Sequence, residues 1–134
     1  MGALGILLAK APALGAQQTL AGAAARALAA WQSGDVRALV ARSVTVGLEL
    51  PGADPSAPLG REQAAHLLRR YLERAHERTL TLVALSEIGP SRGYAELERR
   101  YVIRGTRDER CETVVFRFSK VGGNWVLSEI QIVP

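Results

Sequence analysis

Arg61-Glu62-Gln63-Ala64-Ala65-His66-Leu67-Leu68-Arg69-Arg70-Tyr71-Leu72-Glu73-Arg74-Ala75-His76 is the stretch whose spacing decides the fold. Ala64, Leu67, Leu68, Tyr71, Leu72 and Ala75 recur at helical spacing, which gathers them on one side of a rod and leaves Glu62, His66, Arg69 and Glu73 on the other. Downstream the period changes to two. Segments near 79–88, 93–104, 110–120 and 124–133 read as strands, separated by Gly89-Pro90-Ser91, Gly105-Thr106-Arg107 and Gly122-Gly123. Connections this short force antiparallel neighbours, and strands this long twist and curl. The expectation is a bent meander that wraps around the helix and turns a concave face towards it.

Upstream, Leu20, Ala24, Ala27, Leu28 and Trp31 mark an alanine-rich helix from Thr19 to Gln32, with Thr19 as N-cap and Ser33-Gly34 as the stop. Asp35 can cap a second, short helix from Val36 to Ala41, because its carboxylate accepts hydrogen bonds from first-turn amides. The two make a helical corner without the polar reading face that DNA recognition needs. Val44, Val46, Leu48 and Leu50 alternate with Thr45, Gly47 and Glu49 and predict a first strand with one buried face. Pro51, Pro55 and Pro58, with Gly52 and Gly60, predict a loop that is neither helical nor paired in a ladder and that could border a pocket. Helices first and a meander after them read as an α+β domain of about five strands.

A chain of 134 residues makes one domain and excludes a large multidomain enzyme. One cysteine excludes a disulfide framework and a Cys-rich zinc module. The net charge of +4 invites a nucleic-acid reading, since clustered cations displace counterions from phosphates. The arginines at 69, 70, 99, 100, 104, 107 and 110 are interleaved with Glu73, Glu96, Glu98, Asp108 and Glu109, so a mixed solvated surface is the reading adopted. Residues 3–9 form an apolar run too short to span a membrane, and small residues follow at Ala13, Gly15 and Ala16. Residues 1–16 are therefore expected to be an export signal, with a leader on a cytosolic protein as the alternative. No basic residue precedes the run and Lys10 interrupts its end, which is unlike an export signal.

The order of helix, short helix, strand, long helix and curved meander resembles the nuclear transport factor 2-like superfamily, shared with ketosteroid isomerase and the polyketide cyclase group. Trp31-Gln32-Ser33-Gly34-Asp35-Val36-Arg37-Ala38-Leu39, Val44 to Pro51, Gly60-Arg61-Glu62-Gln63-Ala64, Val114 to Phe118, Gly122-Gly123-Asn124-Trp125 and Ile130-Gln131-Ile132 resemble a small, exported bacterial family of unknown function in that superfamily. The resemblance covers residues 19–134 and implies an α+β cone. It says little about chemistry, because this architecture hosts both enzymes and binding modules.

Enzymes of the superfamily place a carboxylate or a histidine in the cone, so the resemblance gives weight to polar groups in apolar register. Arg99 interrupts the face of Ala95, Leu97, Tyr101 and Ile103; it is either a pocket group for a carboxylate ligand or, as preferred, the mark of a β-bulge at Arg99-Arg100. The last strand is ambiguous. Glu129 is a general base if Leu127 points inward and a solvated edge charge if Ile130 does, and the second arrangement buries more aliphatic area. His66 is expected to be exposed, and His76, at the end of the helix, could reach the cavity mouth. Cys111 alternates with Thr113 and Val115 and reads as a small buried thiol.

Tyr71 and Tyr101 carry hydroxyls that need partners if buried. With Arg99 and Trp125 they are the expected ligand-binding residues, while Glu129, His76 and Tyr101 are the candidate acids and bases. No metal-ligand spacing, phosphate loop or nucleophile elbow occurs in the sequence, so no metal and no cofactor is expected. The function expected is a noncatalytic module that binds a small apolar or amphipathic molecule or a protein partner, with no nucleic acid and no membrane span. The alternative is a small isomerase, dehydratase or cyclase. Val83, Leu85, Val102 and Val115, in outward register, suggest a homodimer through the outer sheet face.

Overall fold

The computed structural model describes residues 19–134; the expected leader at 1–16 lies outside the described residues. Helix α1 (Leu20–Gln32) starts at Thr19, whose hydroxyl accepts from the Gly22 amide, and buries Ala23, Ala24, Ala27 and Trp31. Helix α2 (Val36–Val40) starts at Asp35, whose carboxylate accepts from the Ala38 amide at 3.0 Å. Strand β1 (Thr45–Glu49) buries Val46 and Leu48. Val44, expected on the same face, lies before the strand and is 85% exposed.

The proline-rich loop ends differently from expectation, because Leu59–Gly60 forms a short strand β2 paired with β1. It leads directly into α3 (Arg61–Leu72), which buries Ala64, Ala65 and Leu68. Leu67, expected on the buried stripe, is exposed, and Ala65 takes its place. Small residues in that stripe let the rod lie close to the sheet.

The meander is β3 (Ala75–Ile88), β4 (Arg92–Ile103), β5 (Glu109–Val121) and β6 (Asn124–Val133). Strand order is β2-β1-β6-β5-β4-β3. The sheet is thus six-stranded rather than five, and it is mixed, because β1 runs parallel to β6 while every other pair is antiparallel. It stays open and curves around the helices. Gly122 and Gly123 both adopt positive φ, which lets the β5–β6 turn close tightly. Gly93 serves a different need: a Cβ there would sit 2.6 Å from Leu20 Cδ2 and 3.2 Å from the Ser86 carbonyl oxygen.

Three bulges decide which side chains face the concave side. On β6, Arg117 pairs with Glu129 and Phe118 with Leu127, so Ser128 is the extra residue. Its hydroxyl donates to the Arg117 carbonyl at 3.1 Å. The bulge removes the ambiguity of this strand, because Trp125 and Leu127 before it and Ile130 and Ile132 after it are all buried. On β3 the extra residues are Arg78 and Val83. The Val83 step carries Leu85 to the concave side, opposite Ala95, so it is not on the outer face as expected. Val102, also expected to be an outward apolar contact, is buried outside the main core cluster.

Candidate functional site

The concave face is walled by Leu97, Val114, Phe116, Ile130 and Ile132, all essentially without exposure, and Arg99 lies among them at 1%. The expected bulge at Arg99-Arg100 is absent: β4 pairs with β5 without a break through Arg99↔Glu112 and Arg100↔Cys111. The bulge is one strand over, at Arg78, opposite the Arg100–Tyr101 step. Its effect is to place Glu77 on the same face as Leu80, towards Arg99, whereas an unbroken strand would point the two in opposite directions.

Arg99 is therefore held by two carboxylates of the chain itself. Its Nε donates to Glu77 Oε1 at 2.8 Å and to Oε2 at 3.1 Å, Nη2 also donates to Glu77 Oε2, and Nη1 donates to Glu112 Oε1. The Glu112 side chain is 4% exposed and that of Glu77 33%. The second layer is aromatic. Trp31 Nε1 donates to Glu77 Oε1 at 3.0 Å, and the Tyr71 hydroxyl donates to Glu112 Oε2. The guanidinium carbon lies 4.0 Å from the Tyr101 ring centre, 5.6 Å from Tyr71 and 5.9 Å from Trp31, within cation–π range. Burial opposes the Arg99 charge, but hydrogen bonds and attraction from Glu77 and Glu112 outweigh it and raise the guanidinium pKa. The Tyr71 phenol is pushed up by burial and then by its bond to Glu112, and Tyr101 is raised mainly by burial.

Beside this cluster, Tyr71, Arg74, Ala75, Arg99, Tyr101 and Ile103 line a recess of about 180 Å³. Three of the four residues expected to bind a ligand, Tyr71, Arg99 and Tyr101, thus meet around one opening. The fourth, Trp125, is buried elsewhere, with Lys120 Nζ 5.5 Å from its ring centre. Glu129 lies on the outer face, half-exposed, and accepts from Arg117 Nε at 2.9 Å. His76 is not at a helix end: α3 stops at Leu72, and His76 is an exposed residue of β3 paired with Val102. His66 is exposed on α3. Cys111 is exposed, against expectation, because the concave face belongs to the alternate residues Glu112, Val114, Phe116 and Phe118. Among the described residues no group of His, Cys, Asp and Glu could hold a metal ion, and no helix is long and apolar enough to cross a membrane.

No protein-family model and no curated protein matches the chain. Solved structures do. A ketosteroid isomerase-like protein from Erwinia carotovora atroseptica superposes with a TM-score of 0.68 at 15% identity, over 87% of this chain and 93% of that one. A polyketide cyclase-like protein from Xanthomonas campestris pv. campestris gives 0.66 at 19% identity, over 87% and 90%. A DUF4783 family protein from Bacteroides uniformis gives 0.67 at 13% identity, over 81% and 93%. The fold is nuclear transport factor 2-like. Likeness at this identity extends to architecture, and those neighbours' names span isomerase-like, cyclase-like and uncharacterised proteins.

In this nuclear transport factor 2-like cone the sequence reading found Arg99 but missed both of its partners. Glu112 had a legible signal, since it shares its phase with Val114, Phe116 and Phe118 and so points where they point. Glu77 had none, because its direction depends on the Arg78 bulge.

Proposed function

We propose that this nuclear transport factor 2-like chain is a noncatalytic binding module whose recess, at the edge of the cone, takes a small amphipathic molecule about the size of one aromatic ring. What supports this reading is that the ionisable groups inside the cone are engaged with one another. Glu112 has Oε1 on Arg99 and Oε2 on Tyr71, and Glu77 is shared between Arg99 and Trp31. Among the described residues no buried side-chain nitrogen or oxygen lacks a hydrogen-bond partner. A general acid or base must instead offer an atom within hydrogen-bond reach of the substrate's proton.

Size supports the same reading. A cavity of about 150 Å³ holds a benzene ring, whereas sites for larger ligands run to about 300–1,000 Å³. At about 180 Å³ the recess fits the former. Ala75, Ile103 and the two tyrosine rings offer apolar walls, and Arg74 offers a polar contact.

The test is an amide NMR titration with p-cresol. Saturable shifts at Ala75, Ile103 and Tyr101, lost in Ile103→Trp, which fills the recess, are the expected outcome. The isomerase- and cyclase-like neighbours motivate the second reading, a small enzyme. Exchange of solvent deuterium into cyclohexanone above the buffer rate, abolished in Glu112→Gln, would overturn the noncatalytic reading in favour of that one.

A further inference from the structure

The recess at Tyr71 and Tyr101 differs in charge between its inner end and its rim. The buried guanidinium of Arg99 lies at the inner end and is met by two carboxylates, so the cluster as a whole carries one negative charge. An anionic head pushed to that depth would meet Glu112, whose two oxygens are already taken by Arg99 and Tyr71. Arg74 stands at the rim, lining the recess while exposed to solvent. Among the described residues it makes no ion pair with any carboxylate.

Arg74 joins α3 to β3, and the chain leaving β4 fixes its place. The Arg104 amide donates to the Arg74 carbonyl at 2.9 Å, and Arg104 Nε donates to the Glu73 carbonyl at 2.6 Å. Arg104 makes no ion pair either, so this corner of the sheet carries two unneutralised guanidinium groups among the described residues. A guanidinium fork suits carboxylate and phosphate oxygens alike. The net negative charge at the inner end separates the two, because it repels a phosphate dianion more strongly than a carboxylate. Behind Arg74, Ala75, Ile103 and the tyrosine rings reward buried hydrocarbon. A cavity of about 150 Å³ holds benzene, so a recess of about 180 Å³ takes one ring and leaves a carboxylate attached to it outside, at the rim.

We propose that the ligand of this recess is a one-ring aromatic carboxylate, its ring against Ala75, Tyr101 and Ile103 and its carboxylate on Arg74. This assignment rests on the binding reading proposed above and adds to it the ligand class and the residue that selects it.

The test uses the full chain and amide NMR titrations at low salt with benzoate, benzyl alcohol, benzylamine, phenyl phosphate and acetate. Benzoate should give saturable shifts at Ala75, Tyr101 and Ile103, with cross-peaks from its ring protons to the Ala75 and Ile103 methyl groups. It should bind about three- to fivefold tighter than benzyl alcohol, the range expected of an ion pair at an exposed arginine, and the ratio should shrink as sodium chloride is raised. In Arg74→Gln the ratio should fall to about one, while an unchanged amide spectrum away from the recess shows that the variant folds. Benzyl alcohol, benzylamine or phenyl phosphate binding as tightly as benzoate would overturn the carboxylate assignment and leave the one-ring binding reading standing. Acetate binding as tightly would overturn the role of the ring, and a ratio unchanged in Arg74→Gln would overturn that of Arg74. Shifts absent with every probe, p-cresol included, would remove both the assignment and the reading beneath it.

Discussion

Replacing Arg99 by Met keeps most of the side-chain volume and deletes the charge. Arg99 is 1% exposed and the Glu112 side chain 4%, so the variant leaves a carboxylate in the cone whose remaining partner is Tyr71. Glu77, a third exposed, can rehydrate, and most of the penalty therefore falls on Glu112. Breaking one side of a buried ion pair costs about 3–5 kcal/mol. An unfolding entropy of about 2 cal/mol/K per residue makes each kcal/mol worth about 4 °C for a domain of this size. Thermal denaturation of Arg99→Met at neutral pH should therefore fall by about 12–20 °C.

The double variant Arg99→Met with Glu112→Leu removes the orphaned charge together with its partner. Apolar replacement of a buried pair is often neutral or stabilising, so the double variant should recover to within about 1 kcal/mol of the parent chain. An Arg99→Met single variant already within about 1 kcal/mol of the parent would refute the reasoning, because it would mean that water reaches Glu112 freely.

Arg99→Ala should leave a slot lined by two carboxylates and three aromatic rings; millimolar free guanidinium should raise its Tm while equal sodium chloride does not, and equal effects of the two would contradict the slot. The Tyr71 phenol lies above its ordinary value of 10.0, through burial first and Glu112 second. Folding thus favours the neutral phenol, a contribution complete below about pH 10 and lost as pH rises through the folded value. Tyr71→Phe should flatten the alkaline limb of the stability profile, and an unchanged limb would count against the Glu112 contact. Gly93→Ala should cost about 1–3 kcal/mol in chemical denaturation, since its methyl group meets Leu20 and the Ser86 carbonyl; a neutral result would mean that α1 is not seated there.

The helical rods, their caps and the four-strand meander were legible because each rests on local chemistry: periodicity, an N-cap side chain, glycine turns. The parallel β1–β6 pairing was not, since no short connection links those strands and only the closed core chooses it. Bulges were the other blind spot. One extra residue reverses every side chain beyond it, so Ser128 brought both apolar sets of β6 inward and Arg78 delivered Glu77 to Arg99. The sequence showed Arg99 as a cation out of place but offered no sign that its anions would come from β3 and β5. Tyr71 and Tyr101 were singled out for hydroxyls needing partners, and the partner of Tyr71 proved to be Glu112.

Inside the cone a guanidinium is locked by the chain's own carboxylates. The most direct measurement is the exchange of the Arg99 Nε–H proton with water, followed by nitrogen-resolved NMR at neutral pH. A signal that persists and exchanges orders of magnitude more slowly than those of the exposed Arg69 and Arg70, with cross-peaks to the Tyr101 ring, is the predicted result. An Arg99 proton that exchanges as fast as theirs would contradict the account.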